Sequence, residues 1–120
     1  ADLYACLNTP VNIAPGETVF IPTGLAMAIP EGLAGLVYAR SGMACKRGLA
    51  PANKVGVIDS DYRGEIMVAI LNHGTQPQHI SHGDRIAQLL LTPVMTPSYE
   101  IATDLDETCR ASGGFGSTGK

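Results

Sequence analysis

The sequence predicts an all-β fold, and three observations carry that reading. Gly and Pro are dense, 14 and 8 in 120 residues, and the only run free of both that exceeds nine residues is Ser98 to Ser112. Helices have little room between such breakers. What lies between them is short, apolar and often β-branched: Thr18 to Ile21, Leu25 to Ile29, Leu33 to Ala39, Ile66 to Leu71 and Ile86 to Thr92. Short strands at near-regular spacing indicate a β-barrel or sandwich. Charged residues make up 16% of the chain and hydrophobic ones 45%, where a charged share of about a quarter is usual. One subunit then carries more apolar surface than it can hide, which points to an oligomer.

A chain of 120 residues is one domain, large enough to bury a real core. Its net charge of -3 gives no basic footprint, so nucleic acid is not an expected partner. The three cysteines, Cys6, Cys45 and Cys109, lack the spacing of a zinc site or disulfide framework, which fits reduced thiols in an intracellular compartment, cytoplasmic or nuclear. No apolar run approaches the roughly 20 residues of a membrane span. Organelle targeting stays open, because the chain does not begin with Met.

In chain order, Ala1-Asp2-Leu3-Tyr4 places a carboxylate near the terminus. Pro10 to Gly16 reads as a loop, and Glu17 to Pro22 and Gly24 to Ile29 as two strands about a Pro22-Thr23-Gly24 bend. After the Pro30-Glu31-Gly32 turn, a strand from Leu33 to Tyr38 delivers Arg40 and Ser41 at its end. Arg-Ser-Gly suits a phosphate: the guanidinium is a planar fork of donors, the hydroxyl adds one, and Gly42 lets backbone amides approach. As a lone tripeptide it is more often a surface turn. Lys46 and Arg47 read as a solvated loop face.

The central stretch, Gly56 to Ile66, sets Asp59, Asp61, Tyr62 and Arg63 in a polar turn between apolar flanks. It reads as a loaded hairpin tip held by rigid strands, although Asp-Ser-Asp before Gly64 is ordinary turn composition. Asn53 falls on the same predicted hairpin, and its amide can donate and accept at once. Asp61 and Arg63 read as a structural turn pair. His73, His79 and His82 lie among Gly and Pro without a register that would converge them, and no metal site is assigned to them. Gly83 to Leu89 is a turn into a strand, with Asp84 and Arg85 holding the turn and Gln88 the residue suited to a phosphate oxygen and a water. Tyr99 to Ala102 is a possible last strand, and Thr103 to Thr108 an acidic linker. The last eleven residues are Gly-rich and cannot form a core alone; they carry Arg110, Phe115, Ser117 and Thr118.

Five stretches in fixed order together resemble the trimeric dUTP pyrophosphatase (dUTPase) family. They are Ala1 to Tyr4, Ala39 to Ala44, Gly56 to Ile66, Gly83 to Leu89 and Arg110 to Gly119. Ala39 and Met43 depart from the family's usual Pro and Leu, and the small residues that usually precede the Asp of the first stretch are missing here. The resemblance implies a jelly-roll-like β-barrel over residues 1–109 and a flexible arm over 110–120 that closes on the nucleotide. It implies hydrolysis of dUTP to dUMP and pyrophosphate, with Asp59 orienting and deprotonating the water that attacks the α-phosphorus, and with Gln88 and Asp2 beside it. Arg40, Ser41, Gly42, Gln88, Arg110, Ser117 and Thr118 would bind phosphates. Asn53, Gly56, Val57, Tyr62 and Phe115 would bind uracil and deoxyribose, Tyr62 excluding a 2′-hydroxyl. Mg²⁺ is the implied cofactor, held through phosphates and water with no direct protein ligand and with Asp2 among the surrounding groups. The implied partner is two further copies of the chain, a homotrimer with shared active sites.

Two other readings stand beside this one. A dCTP deaminase shares the fold and nucleotide class and would release ammonia from dCTP. A non-catalytic trimeric β-barrel would merely bind a nucleotide or protein, and it has no need of Asp59 or the Gly-rich arm.

Overall fold

The computed structural model describes residues 1–114. Nine strands and one short helix form: β1 (Asp2–Tyr4), β2 (Val11–Ile13), β3 (Thr18–Pro22), β4 (Leu33–Tyr38), α1 (Ser41–Arg47), β5 (Leu49–Pro51), β6 (Gly56–Ile58), β7 (Met67–Asn72), β8 (Gln78–Ile80) and β9 (Arg85–Pro93). Every pairing is antiparallel, in three sheets of order β1-β9-β4-β6, β3-β7-β5 and β2-β8. The all-β, jelly-roll-like expectation holds, with the strands divided among these sheets and no continuous closed barrel among the described residues.

The sheets share one core. Leu3, Val37 and Ile86 enter it from the first sheet, Ile21, Leu49, Val68 and Ile70 from the second, and Ile13 and Ile80 from the third. The period-2 rule is plain in β7, where Val68, Ile70 and Asn72 point inward and Met67, Ala69 and Leu71 point away, as a pleated strand requires. Asn72 is fully buried and therefore must be satisfied by partners. Its Nδ2 donates to the carbonyls of Ile13 and Gln76, 2.9 Å each, and its Oδ1 accepts from the Gly74 N–H at 3.0 Å. One amide thus ties the β2 end to the β7–β8 turn.

Several elements differ from the sequence reading. Ser41 to Arg47 is a helix, not a turn followed by a loop. It is short enough to escape notice, and it ends at Gly48, whose left-handed φ of 67° lets its N–H bond back to Met43. Leu25 to Ile29 and Tyr99 to Ala102 form no strand, while β2 arises in a stretch read as a loop and β5 and β8 where no strand was expected. Those three strands exist through long-range partners, β8 for β2 and β7 for β5, which local composition does not reveal.

Beyond β9 the chain makes no further strand among the described residues, and Met95, Tyr99, Ile101 and Leu105 are at least 90% exposed. The radius of gyration is 18.8 Å, against about 14 Å for a compact chain of this length. An apolar segment projects from the body without cover within its own chain.

Asn72→Ala should strip partners from three backbone groups at about 1–3 kcal/mol for each group left buried and unpaired. The expected result is a loss of at least about 2 kcal/mol, read as a lower urea midpoint at fixed protein concentration. An unchanged midpoint would contradict the bridging role.

Candidate active site

Two recesses concentrate the polar chemistry. The first is a cavity of ≈ 380 Å³ whose lining includes Phe20, Asn53, Gly56, Val57, Asp59, Tyr62 and Met67, within the size range of small-molecule sites. It exists because two strands part. β6 pairs only with β4, and β7 pairs with β5 as far as the bond from Ala52 N–H to the Ala69 carbonyl at 2.8 Å. Past that point β6 and the start of β7 face the cavity with free edges, whose backbone donors and acceptors are open to a planar ligand. The stretch from Gly56 to Ile66 is therefore not a simple hairpin tip, since its two flanking strands belong to different sheets.

Local bonds fix the loop that carries Asp59 and Tyr62. Tyr62 N–H donates to the Asp59 carbonyl at 3.2 Å, and Tyr62 Oη donates to the Glu65 carbonyl at 2.9 Å. Arg63 Nη1 donates to the carbonyls of Ser60 and Tyr62 at 2.7 and 2.9 Å. Arg63 thus holds the turn through backbone oxygens, and among the described residues its guanidinium makes no ion pair to Asp61. At the far end Glu65 Oε1 accepts from Gly24 N–H at 2.8 Å, Thr23 Oγ1 donates to the Ile66 carbonyl at 2.6 Å, and Ile66 N–H donates to the Leu25 carbonyl at 2.8 Å. The Pro22-Thr23-Gly24 bend is the anchor of the loop. Asn53 reaches the same cavity, and a Cβ on Gly56 would lie 3.4 Å from its Nδ2 and 3.2 Å from Val37 Cβ. Glycine at 56 leaves room for that close approach.

The second recess gathers Arg40, Gly42, Met43, Arg47, Gly83, Asp84 and Arg85. Asp2 Oδ1 accepts from Arg40 Nε at 3.1 Å, and Asp2 Oδ2 meets Arg85 Nη1 at 3.4 Å. Asp2 also pairs across β1–β9 with Gln88, which on its other side stands opposite Tyr38 of β4. Asp2 and Arg40 are thereby in contact and Gln88 sits at the neighbouring register position, with Ser41 and Gly42 exposed at the first turn of α1. The first N–H groups of a helix have no intrahelical acceptor. Asp84 holds its turn, Oδ2 accepting from Ser81 N–H at 2.9 Å. Arg85 does not share that task; it is a second cation on Asp2, visible only once β1 is paired with β9. Arg47, read as a solvated charge, donates from Nε to Gln78 Oε1 at 3.1 Å and from Nη2 to the His79 carbonyl, tying α1 to β8. Sequence reading also missed Phe20 and Glu65 at the first recess, which reach it only through the β3–β7 pairing and the Gly24 contact.

The two recesses do not meet within the chain. Ile58 stands opposite Gly35 near the start of β4, whereas Gln88 stands opposite Tyr38 at its end. Asp59 follows Ile58 and so lies level with Ala34, while Arg40 is two residues past Tyr38, so at 3.3 Å per residue they are roughly 20 Å apart along the strand direction. Arg110 is exposed and donates from Nε to the Gly113 carbonyl at 2.7 Å, away from both recesses. Phe115, Ser117 and Thr118 lie outside the described residues.

The dUTPase family model matches residues 1–119. A deoxyuridine 5'-triphosphate nucleotidohydrolase of Desulfitobacterium hafniense (strain DSM 10664 / DCB-2) is 56% identical over 119 residues, covering 98% of this chain and 79% of the relative. The dUTPase of Staphylococcus bacteriophage 80alpha, solved with dUPNHPP, superimposes with a TM-score of 0.89 at 28% identity, covering 99% of this chain and 85% of that one. A mutant dUTPase of phage phi11 of S. aureus, whose structure reveals how a structural Mg(II) ion is coordinated, gives a TM-score of 0.77 at 26% identity, covering 86% and 82%.

The recess with Arg40 and Arg85 should bind inorganic tripolyphosphate, and Arg40→Ala should weaken that binding at least about tenfold, the scale of one charge-assisted contact. Isothermal titration at two salt concentrations checks it; an affinity unchanged by the substitution would remove Arg40 from the anion site.

Proposed function

This chain belongs to the dUTPase family, and on that premise we infer that it hydrolyses dUTP to dUMP and pyrophosphate, with Asp59 as the base. The observation that carries the assignment of roles is the convergence of Asn53, Asp59 and Tyr62 on one cavity bounded by two free strand edges. Uracil enters between those edges, where Gly56 and Val57 offer backbone groups and the Asn53 amide can donate and accept. The Tyr62 ring lies against the deoxyribose and leaves no volume for a 2′-hydroxyl, which any forced fit would strand without a partner.

Asp59 accepts a proton from water as the water oxygen bonds to the α-phosphorus. The bond from that phosphorus to the α–β bridging oxygen breaks, and pyrophosphate leaves with the bridging oxygen. Alignment and charge neutralisation carry most of such a reaction. Arg40 and Ser41 hold phosphate oxygens, Gly42 allows close backbone approach, and the Gln88 amide orients both a phosphate oxygen and the water. Asp2, whose two oxygens face Arg40 and Arg85, would accept hydrogen bonds from the water shell of a Mg²⁺ bound with the nucleotide. Such a donor set fits an ion that keeps its water shell. Mg²⁺ supplies neutralisation of phosphate charge when bound.

The separation of Asp59 from Gln88 and Arg40 supports a site completed between chains. A water cannot touch Asp59 and Gln88 of one chain, so the cavity of one subunit faces the arginine recess of another. A homotrimer satisfies this by rotation, and it supplies cover for the exposed Met95, Tyr99, Ile101 and Leu105. The arm over 110–120 then folds over the nucleotide, bringing Arg110, Ser117 and Thr118 to phosphates and Phe115 to the base. Among the described residues no helix is long and apolar enough to cross a membrane, and Cys6, Cys45 and Cys109 are free and exposed.

Asp59→Asn tests the role of the base. The amide keeps the side chain's size but cannot take the proton, so pyrophosphate release should fall by at least about a hundredfold while a non-hydrolysable dUTP analogue still binds in calorimetry. Turnover near that of the unmodified chain would take Asp59 out of the mechanism.

A further inference from the structure

Gly64 lies two residues after Tyr62 in the exposed loop between β6 and β7. It is not among the glycines with positive φ, so any L-residue could adopt its backbone conformation. Torsion gives no reason for glycine here, and space does. A Cβ on Gly64 would collide with Tyr62 Oη and lie 2.6 Å from Cζ and 3.0 Å from Cε2 of the same ring. Carbon atoms in contact separate by roughly 3.5–4.0 Å, so the ring and a side chain at 64 cannot both occupy these positions.

We propose that Gly64 is a positioning residue for sugar discrimination: its missing side chain is the seat on which the Tyr62 ring rests. This rests on the reading of Tyr62 as the wall against a 2′-hydroxyl. The seat works with two bonds. Tyr62 Oη donates to the Glu65 carbonyl at 2.9 Å, and the carboxylate of the same Glu65 accepts from Gly24 N–H at 2.8 Å. The hydroxyl end of the ring therefore lies over the bare Gly64 backbone, and its Oη is bonded to a residue that is itself bonded to the bend after β3. Half exposed, at 46%, it has little core around it to hold it otherwise. A methyl group at 64 forces the ring off the loop and breaks its bond to Glu65. The wall moves, and with it the volume that excludes the extra hydroxyl.

The test is the ratio of kcat/KM for dUTP to that for UTP in the unmodified protein, Gly64→Ala, Tyr62→Ala and the double variant. Gly64 is exposed and outside every strand, so alanine there leaves the core intact, and matching thermal melts check this. Gly64→Ala should lower the ratio at least about tenfold, within the range of a hydroxyl's steric rejection, and Tyr62→Ala should lower it at least as far. The double variant should equal Tyr62→Ala alone, because the effect of Gly64 passes through the ring. A ratio held or raised by Gly64→Ala overturns the seat, as does a further fall on adding Gly64→Ala to Tyr62→Ala. If Tyr62→Ala itself leaves the ratio unchanged, the ring is not the gate and the inference falls with it. If Tyr62→Ala collapses the ratio and Gly64→Ala does not, only the seat fails.

Discussion

The register of β4 between β6 and β9 is the constraint on which the rest depends. One neighbour leaves the strand opposite Gly35 and the other carries Gln88 opposite Tyr38. Side chains proposed to act on one phosphorus are thereby fixed at opposite ends of a rigid ladder, and a one-residue slip is forbidden because it would turn Val37, Leu89 and their neighbours away from the core. The separation is a property of the folded subunit, not of a mobile loop. In the proposed homotrimer symmetry closes it: copies related by rotation set the cavity end of one against the arginine end of the next.

Each half of the proposed site is stiffened before any ligand arrives. On the cavity side, the Thr23 to Leu25 bend exchanges three hydrogen bonds with the loop end at Glu65 and Ile66, donating two and accepting one, while the loop's own turn is closed by Tyr62 and Arg63 onto backbone carbonyls. On the arginine side, Asp2 stands between two guanidinium groups that would otherwise repel each other, and β1 is carried to them by its pairing with β9. Preorganised polar groups of this kind lose little freedom when a charged ligand binds. The segment beyond β9 is the opposite case, apolar and uncovered in its own chain.

Much of this was legible in the sequence, for physical reasons. Dense Gly and Pro do exclude long helices, and β-branched runs such as Ile66 to Leu71 do become strands, so the all-β reading follows from local propensity. The five stretches name the family, and the folded chain sets Asp2 against Arg40 and opposite Gln88. Pairing partners were not legible. Arg85 as a second cation on Asp2 depends on β1 finding β9 across more than eighty residues, and the short helix from Ser41 rests on a Gly48 cap that reads equally well as a loop. The parting of β6 from β7, which opens the cavity, is invisible in a stretch that looks like one hairpin. Local chemistry shows which residues are suited to a task, and long-range register decides which of them share a chain's site.

The claim that no single chain holds a complete site is open to one direct measurement. Asp59→Asn damages the cavity half and Arg40→Ala the phosphate half, so trimers of either variant alone should be nearly inactive. When the two are unfolded together in equal amounts and refolded, random assortment about a three-fold axis should leave about a quarter of the sites with both halves intact. Recovery of dUTP turnover to about that fraction is the expected result. A refolded mixture no more active than its inactive parents, with mixed trimers verified by mass, would show that both halves act within one chain.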